Sequence, residues 1–306
     1  MEGRIMKIAF FTEMGFKGKI SRTHENMRTE FAWMCALDAD HYNLWDVPDQ
    51  KYDLGIAINS KKNPTWVDVN RLRQYCNKVA VMQEGPNWYF QDYTLENQIH
   101  YFNNLTDADI IFVHNEADCK YFRGLVDGAD VRVLRSLMIP DAIGDIETVD
   151  RKGVMIGGNF VSWYGGFDSM ITAAVFEDDI WAPSMGRKQD GEEQLINHLP
   201  YMNWKQWIHK LNEFKYGVHL MRTHAAGTFA LNCAYLGIPC IGYRGLDTQE
   251  LCHPNCTVDV GDIESAKRKA KRLRNDKDFY LYCSDIAKQK YMEHYHETKF
   301  SIGDIT

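Results

Sequence analysis

The sequence predicts an α/β protein made of two consecutive domains, each with a parallel sheet between layers of helices. Short apolar runs that end in turn residues alternate with segments of helical periodicity over most of the 306 residues. This alternation stops once, between residues 139 and 152, and then starts again. Strands that alternate with helices form parallel sheets, because each helix returns the chain to the same end of the sheet.

The first half contains five strand candidates separated by helical patterns. The strands are expected at residues 7–12, 52–59, 78–82, 108–114 and 131–134, and the helices at residues 26–37, 67–75, 94–103 and 117–124. The first strand leads into a glycine-containing turn that includes Gly15. We assign residues 1–140 to an N-terminal Rossmann-like domain.

The second half follows a linker. Residues 139–152 contain proline, glycine and acidic residues without apolar periodicity, which is typical of a domain boundary. Strands are then expected at residues 153–156, 179–182, 216–220 and 239–243, and helices at residues 167–176, 204–214 and 228–236. We assign residues 141–275 to a second Rossmann-like domain. Residues 276–306 form a long helical pattern and a tail, which we expect to pack back on the first domain.

Composition excludes several classes of protein. A net charge of −7 argues against a protein that coats nucleic acid nonspecifically, since phosphate binding depends on lysine and arginine. The densest positive run, residues 267–274, is best interpreted as a solvated helix face. No window approaches the roughly 18 apolar residues of a membrane span, so we expect no membrane partner. The eight cysteines are scattered, which predicts reduced thiols and a cytoplasmic location.

Two segments at predicted strand ends have the residues to bind an anion. Ligands of parallel sheets lie beyond the carboxyl ends of the strands, where helix N-termini present their N–H groups. The first segment follows the strand at 153–156 and contains Gly158, Asn159 and Ser162; its glycines would let the backbone approach a phosphate closely. Such a loop is also common as a simple turn.

The second segment, residues 222–242, combines a loop, a helix and a strand. Gly227 and Thr228 are expected at the helix N-terminus, where the helix dipole favours a diphosphate. Arg222 offers a fixed positive charge, and His224 lies in the approach loop. Asn232 lies one turn into the helix, on a face that could reach a ribose. The alternative is an ordinary helix start with Arg222 and His224 in surface hydrogen bonds.

The segment 222–242 resembles the donor-binding signature of GT-B glycosyltransferases, in which a glycine loop opens a helix and a G-x-P strand follows, here Gly237-Ile238-Pro239. The resemblance implies two Rossmann-like domains, with the acceptor bound by residues 1–140 and a nucleotide diphosphate sugar, UDP-linked, bound by residues 141–275. The large retaining family has two acidic residues eight positions apart. His224 and Asn232 occupy those positions here, so retention or inversion stays open.

A narrower similarity is to phage DNA glucosyltransferases, which modify hydroxymethylcytosine. Gly157-Gly158-Asn159-Phe160 is similar to their glycine loop, and the strand at 78–82 followed by Gln83-Glu84 is similar to the segment that holds their catalytic carboxylate. This implies a hydroxymethylated base in double-stranded viral DNA as the acceptor, and the host cytoplasm as the location. A glycan or small-molecule acceptor fits the acidic net charge better. A non-catalytic nucleotide-sugar or nucleic-acid binding module and an NDP-sugar epimerase on the same fold are the remaining alternatives.

The candidate general base is Glu84, because an acceptor hydroxyl needs a positioned carboxylate to take its proton. Asp92 is the competing carboxylate, and the choice between them stays open at this point. His114 ends another predicted strand and could hydrogen-bond the donor sugar, as could the turn that contains Gly15. N–H dipoles and arginine can neutralise a diphosphate, so no metal is required, with a divalent ion as an alternative. We expect a hexosyl- or pentosyltransferase that is monomeric or dimeric.

Overall fold

The computed structural model describes residues 6–13, 16–59, 67–83, 85–161, 163–183, 189–301, 303 and 305. The chain forms two six-stranded sheets, and every strand pair in both sheets is parallel. One sheet is built entirely from the first half of the chain and the other from the second. The predicted architecture of two successive Rossmann-like units is therefore confirmed.

The first sheet has the spatial order β2-β1-β3-β4-β5-β6. Its strands are β1 (Ile8–Thr12), β2 (Asp40–Asn43), β3 (Tyr52–Asn59), β4 (Cys76–Gln83), β5 (Ile110–Val113) and β6 (Val131–Val133). The helices around it are α1 (Glu30–Ala36), α2 (Val69–Leu72), α3 (Leu95–Asp107) and α4 (Glu116–Leu125). The strands β1 and β5, each next to an edge strand, are buried at every position, because helices cover both faces of the sheet.

The second sheet has the spatial order β12-β11-β10-β7-β8-β9. Its strands are β7 (Val154–Ile156), β8 (Ile180–Ala182), β9 (Asn197–His198), β10 (Tyr216–His219), β11 (Cys240–Tyr243) and β12 (Thr257–Val258). Its helices are α5 (Gly166–Ala173), α6 (Trp204–Leu211), α7 (Thr228–Leu236), α8 (Asp247–Cys252), α9 (Ile263–Asn275) and α10 (Lys277–His294). Renumbered within this sheet, the order is 6-5-4-1-2-3, which is that of a dinucleotide-binding fold. The chain reverses its winding direction between β7 and β10.

The long C-terminal helix is α10. It packs against α7, α8 and α9, and the side chain of its N-cap residue Asp276 accepts a hydrogen bond from the Phe279 N–H. The predicted return to the first half is made by the residues that follow it. The Met138 N–H donates to the Tyr295 carbonyl at 3.2 Å, and Arg22 pairs with Glu297 at 2.7 Å. None of the helices in the described ranges is long and apolar enough to cross a membrane.

The two halves share one continuous apolar core. Phe10 and Trp33 of the first half belong to the same buried cluster as Phe229 and Ala234 of the second. The indole N–H of Trp33 donates to the Arg135 carbonyl at 2.7 Å, which fixes the chain just after β6. The relative position of the two sheets is therefore set by packing as well as by the covalent connection.

Strand β2 was missed by the sequence analysis, because Asp40 and His41 interrupt the apolar pattern. His41 is nonetheless fully buried, since one ring nitrogen pairs with the Thr12 hydroxyl at 2.7 Å and the other with the Phe16 carbonyl at 2.7 Å. Helix α1 begins at Glu30 rather than near residue 26, because Thr29 has a positive φ of 49° that a helix cannot contain. Local propensity gave no signal for either feature.

Candidate functional site

A crevice lies at the carboxyl edge of the second sheet, between the ends of its two central strands, β7 and β10. The chain winds in opposite directions from these two strands, so the loops that follow them diverge and leave a crevice where ligands of this sheet type bind. The Thr223 hydroxyl donates to the Trp163 carbonyl at 3.0 Å and ties the two loops together. Gly158, Asn159, Arg222 and His224 of the predicted site all follow one of these two strands.

The glycines of the first loop are required by close packing. A Cβ on Gly157 would lie 2.6 Å from the ring of His219 and 2.6 Å from that of Phe229. A Cβ on Gly158 would lie 2.9 Å from Tyr164, and one on Gly166 would lie 2.2 Å from the Asn159 carbonyl oxygen. The sequence analysis explained glycine here by the approach of a phosphate. The structure adds a packing reason that holds without any ligand.

His219 ends β10 directly beneath this loop. Neither of its ring nitrogens has a hydrogen-bond partner among the described residues, and burial lowers its pKa to about 4. The imidazole is therefore neutral at pH 7 and keeps one donor and one acceptor unsatisfied. Buried polar groups without partners are uncommon in folded proteins, and they occur where a ligand or water completes the site.

Helix α7 starts beside the crevice without a capping side chain. Its N-cap is Gly227, with φ 64°, and no described side chain accepts a hydrogen bond from the first turn. A Cβ on Gly227 would lie 2.0 Å from the Thr248 hydroxyl, which donates to the Gly227 carbonyl at 2.9 Å. The free N–H groups of the first turn carry the positive end of the helix dipole, so they favour an anion.

Asn232 lies four residues after Thr228, so the two side chains share one face of α7. Thr228 is half-buried at the helix start, whereas Asn232 is buried, with 5% exposure. The structure therefore places Gly227 and Thr228 at the start of α7, beside the crevice. Asn232 lies deeper, one turn below them.

Arg222 is paired in this structure. Its guanidinium donates to Asp168 at 2.9 Å, and the Tyr243 hydroxyl donates to the same carboxylate oxygen at 3.1 Å. The hydrogen bond with Asp168 raises the pKa of Arg222 above its usual value. More than half of the Arg222 side chain is exposed. The arginine is thus held in one orientation at the crevice edge, with part of its charge offset by Asp168.

His224 crosses to the first half of the chain. Its Nδ1 lies 3.1 Å from Asp118 of α4, whose carboxylate also accepts hydrogen bonds from Asn87 at 3.1 Å and Asn115 at 3.1 Å. Asp118 is 4% exposed, so three hydrogen bonds offset the cost of burying its charge. The loop before α7 is therefore fastened to the start of α4.

A second set of bonds reinforces this contact. The Asn115 amide group donates to the Ala225 carbonyl at 2.9 Å, and its carbonyl accepts from the Asp247 N–H at 3.0 Å. The Glu116 N–H donates in return to the Asp247 carboxylate at 3.0 Å. We call the group Asn115, Asp118, His224 and Asp247 the interdomain clasp. The first half contributes one segment, the start of α4, and the second half contributes two, the loop before α7 and the start of α8.

Two members of the clasp have shifted pKa values. The hydrogen bond to Asp118 raises the pKa of His224 above its usual 6.5, against the opposing effect of burial. Burial raises the pKa of Asp247 to about 6. His224 therefore stays positively charged up to a higher pH than a free histidine does, and its ion pair with Asp118 persists to that higher pH.

Of the remaining first-half candidates, the structure describes His114 and Asp92. His114 follows β5, is 7% exposed and stacks on Trp33 with ring centroids 5.8 Å apart. Asp92 is exposed in the 3₁₀ turn Tyr89–Asp92. The same turn reaches the second half through Tyr89, whose ring centroid lies 6.1 Å from that of Trp163. Glu84, Gly15 and Ser162 lie outside the described residues.

Sequence reasoning missed four residues of this site: Asp118, Asn115, Asp247 and Asp168. Each lies in or just before the first turn of a helix that follows a strand, which is a signal that the strand-end argument could have used. Their partners lie 54 to 132 residues away in sequence, and no local pattern identifies them. Within the described part of the chain, no group of three or more His, Cys, Asp or Glu side chains is arranged to hold a metal ion.

No protein-family model matches the chain, and no curated protein sequence matches it. Solved structures resemble it at low identity. A sucrose-phosphate synthase of Thermosynechococcus elongatus aligns with a TM-score of 0.65 at 12% identity over 95% of each chain. HepE of Anabaena, solved in complex with UDP, aligns with a TM-score of 0.63 at 11% identity over 96% of each chain. TarM of S. aureus aligns with a TM-score of 0.62 at 11% identity, over 80% of this chain and 53% of its own.

These likenesses define the class of the fold. Two parallel six-stranded sheets, each within a Rossmann-like unit, match the GT-B architecture of the similar structures over nearly the whole chain. The GT-B fold predicted from the sequence is thereby confirmed.

The ion pair of the clasp predicts a pH-dependent contribution to stability. Because folding raises the pKa of His224, the contribution is complete below the unfolded pKa and is lost as the pH rises through the folded pKa. Asp118→Asn keeps the shape but removes the charge. It should lower the free energy of unfolding by about 1–3 kcal/mol at about pH 6, and by less at about pH 9. Urea denaturation of both proteins at the two pH values measures this difference.

Asp109→Asn is the matched control for this experiment. Asp109 pairs with Arg73 at 2.9 Å, and arginine keeps its charge at both pH values. Its substitution should cost the same stability at both. If Asp118→Asn also costs the same at both pH values, His224 does not provide a titrating charge to the clasp.

Proposed function

We propose that the protein is a glycosyltransferase that binds a nucleotide diphosphate sugar, UDP-linked, in the crevice of the second sheet and transfers the sugar to an acceptor hydroxyl. The observation that carries the proposal is the start of α7: an uncapped helix N-terminus beside the crevice between β7 and β10, next to a glycine loop and Arg222. The complexes of HepE with UDP and with UDP-glucose support a UDP-linked donor.

The diphosphate would be bound mainly by backbone dipoles. The N–H groups of Thr228 and its neighbours would meet the phosphates, and Arg222 would add a charge from the loop that precedes α7. Asp168 acts on Arg222 as a positioning residue, because it holds the guanidinium in place with Tyr243. This arrangement needs no metal ion for binding. A loss of UDP affinity in EDTA would instead favour a divalent ion.

The acceptor would approach from the first half. We retain Glu84, which directly follows β4, as the general base, and Asp92 as the competing carboxylate. The aromatic pair Tyr89 and Trp163 lies between the two halves and could stack on a sugar ring. His114, Gly15, Ser162 and Asn159 stay candidate donor contacts, and Asn232 a candidate ribose contact.

The acceptor class is proposed from charge. A hydroxymethylated base in DNA receives no support from the similar structures named above. The basic run on α9 has local partners: Arg268 pairs with Glu264, Arg274 pairs with Glu177, and Arg272 stacks on Phe279. Side chains bound in this way offer little to a phosphate backbone. We therefore favour a glycan or small-molecule acceptor. Sugar transfer to hydroxymethylated duplexes would restore the DNA acceptor.

A binding module without activity is the alternative function. The two positions that are acidic in the retaining family are His224 and Asn232, and His224 is committed to the clasp. The two functions differ in turnover. A catalyst releases UDP from a UDP-sugar, at a higher rate when one acceptor class is added, and a binding module does not. A panel of UDP-, GDP- and ADP-sugars decides this and identifies the nucleotide.

Thr228→Asp tests the position of the diphosphate. A carboxylate at a helix start interacts favourably with the helix dipole, so stability should be unchanged or rise by about 0.3–1 kcal/mol. The same charge would repel a diphosphate, and UDP affinity should fall at least tenfold, or about 1.4 kcal/mol. Calorimetric titration with UDP and urea denaturation measure the two effects.

Thr228→Asn is the control for shape, because it has the size of aspartate without the charge. It should keep UDP affinity within a few-fold of the wild type. Equal UDP affinity in Thr228→Asp and Thr228→Asn would place the diphosphate elsewhere, whether or not the protein is a glycosyltransferase.

Glu84→Gln tests the base. It keeps the size and hydrogen-bonding shape of the side chain but cannot accept a proton, so the rate of UDP release with acceptor should fall about 10²–10⁴-fold. UDP affinity should change little, because Glu84 belongs to the acceptor half. Asp92→Asn is the control and should retain most activity. The opposite result would assign the base to Asp92, and activity in both variants would mean that neither carboxylate is the base.

A further inference from the structure

A second pocket lies between the edge of the first sheet and the C-terminal segment. Its volume is about 230 Å³, and it opens beside the chain that leaves β6. Arg135 and Ser136 line one wall and Glu116 another, while the residues after α10 close the third with His296 and Lys299. None of these residues belongs to the proposed donor site.

Most of the charged groups in this pocket are basic. Arg135 and Lys299 are exposed, and neither side chain has a hydrogen bond or ion pair with a described residue. Arg73 and Arg132, in contrast, each have a carboxylate partner, Asp109 and Asp130 respectively. Two cations that line one cavity without an ion pair to a described residue are therefore available to a ligand.

Two histidines add hydrogen-bond donors. His294 and His296 both line the pocket. The Nδ1 of His296 accepts a hydrogen bond from the Thr298 N–H at 3.3 Å, so its Nε2 carries the proton in the neutral ring and can donate. Burial, with Lys290 and Arg135 nearby, lowers the pKa of His294. A bound anion would offset the repulsion between a protonated His294 and these two cations.

The surrounding acids are mostly engaged elsewhere. Glu297 is bound to Arg22 at 2.7 Å, and Glu293 to Lys290 at 2.6 Å. Asp247 accepts the Glu116 N–H within the clasp. Glu116 is the carboxylate that lines the pocket. Glu293 also lies 3.7 Å from the Nε2 of His294. Among the residues that line the pocket, the two cations and two imidazoles outnumber the one carboxylate, which suits a compact anion.

We propose that this pocket binds a phosphoryl dianion, either inorganic phosphate or the phosphate of a small phosphorylated molecule. The guanidinium of Arg135 offers two parallel donors, the geometry that recognises phosphate, and Lys299 and His296 supply donors from the other wall. The pocket also adjoins the proposed donor site: the Ser136 hydroxyl donates to the Ala226 carbonyl at 2.8 Å, just before Gly227. A bound phosphate would thus stabilise the contact between β6, the C-terminal segment and the loop before α7.

Calorimetric titration with inorganic phosphate at constant ionic strength tests the proposal. The wild type should bind one phosphate, and Arg135→Ala and Lys299→Ala should each weaken binding at least tenfold. Lys267→Ala removes an exposed lysine of α9 and should change nothing. Both test side chains are exposed, so the variants should fold, and circular dichroism checks this. Equal phosphate affinity in all four proteins, or no saturable binding to the wild type, overturns the proposal.

Two further titrations identify the ligand and the site. Tighter binding of glucose 6-phosphate than of phosphate would identify a phosphorylated molecule as the ligand; equal or weaker binding would identify free phosphate. Thr228→Asp should bind phosphate as the wild type does, because its charge lies in the donor crevice. A large loss of phosphate affinity in Thr228→Asp, with none in Arg135→Ala, would assign the anion to the donor crevice and contradict a second pocket.

Discussion

The buried carboxylate of Asp118 is the interaction on which the site depends most. It is nearly inaccessible to water, and it is stabilised only by what surrounds it: two asparagine side chains of its own half and His224 of the other. A buried charge that loses a partner is strongly destabilising, so the clasp favours one relative position of the two halves. The same contact holds the loop that precedes α7 in place, because His224 belongs to that loop.

This constraint has a consequence for ligand binding. One short loop contains Arg222, His224, Ala225 and Ala226. Three of these residues are hydrogen-bonded to the first half: His224 through its side chain, and Ala225 and Ala226 through their backbone carbonyls. The N-terminus of α7 is therefore positioned by both halves, although it belongs to the second. A ligand bound at that helix start would therefore have a fixed position relative to the first half. A donor needs such a position if its sugar is to meet an acceptor bound there.

Much of the fold could be predicted from the sequence, because strands covered on both faces appear as apolar runs with turn residues at each end. The glycine loop and the start of α7 could be predicted for a similar reason, since parallel sheets place ligands at strand ends. The hydrogen-bond partners of the site residues could not be predicted. Arg222 was expected to offer its charge to a diphosphate, and His224 was expected in the approach loop, with surface hydrogen bonds of both as the alternative. Neither Asp168, the partner of Arg222, nor Asp118, the partner of His224, was identified. Polar β2 was missed, because a buried histidine looks like a loop residue until its partner Thr12 is known.

The proposed donor site requires that a nucleotide diphosphate binds the N–H groups at the start of α7. Hydrogen exchange of individual amides, followed by NMR with and without UDP, tests this most directly. Saturating UDP should slow exchange at Thr228, Phe229 and Ala230. Gln206, whose N–H already donates to Asn203 at the start of α6, should be unaffected. Unchanged exchange at residues 228–230 in a protein saturated with UDP, with protection elsewhere, would show that the diphosphate does not bind at the start of α7.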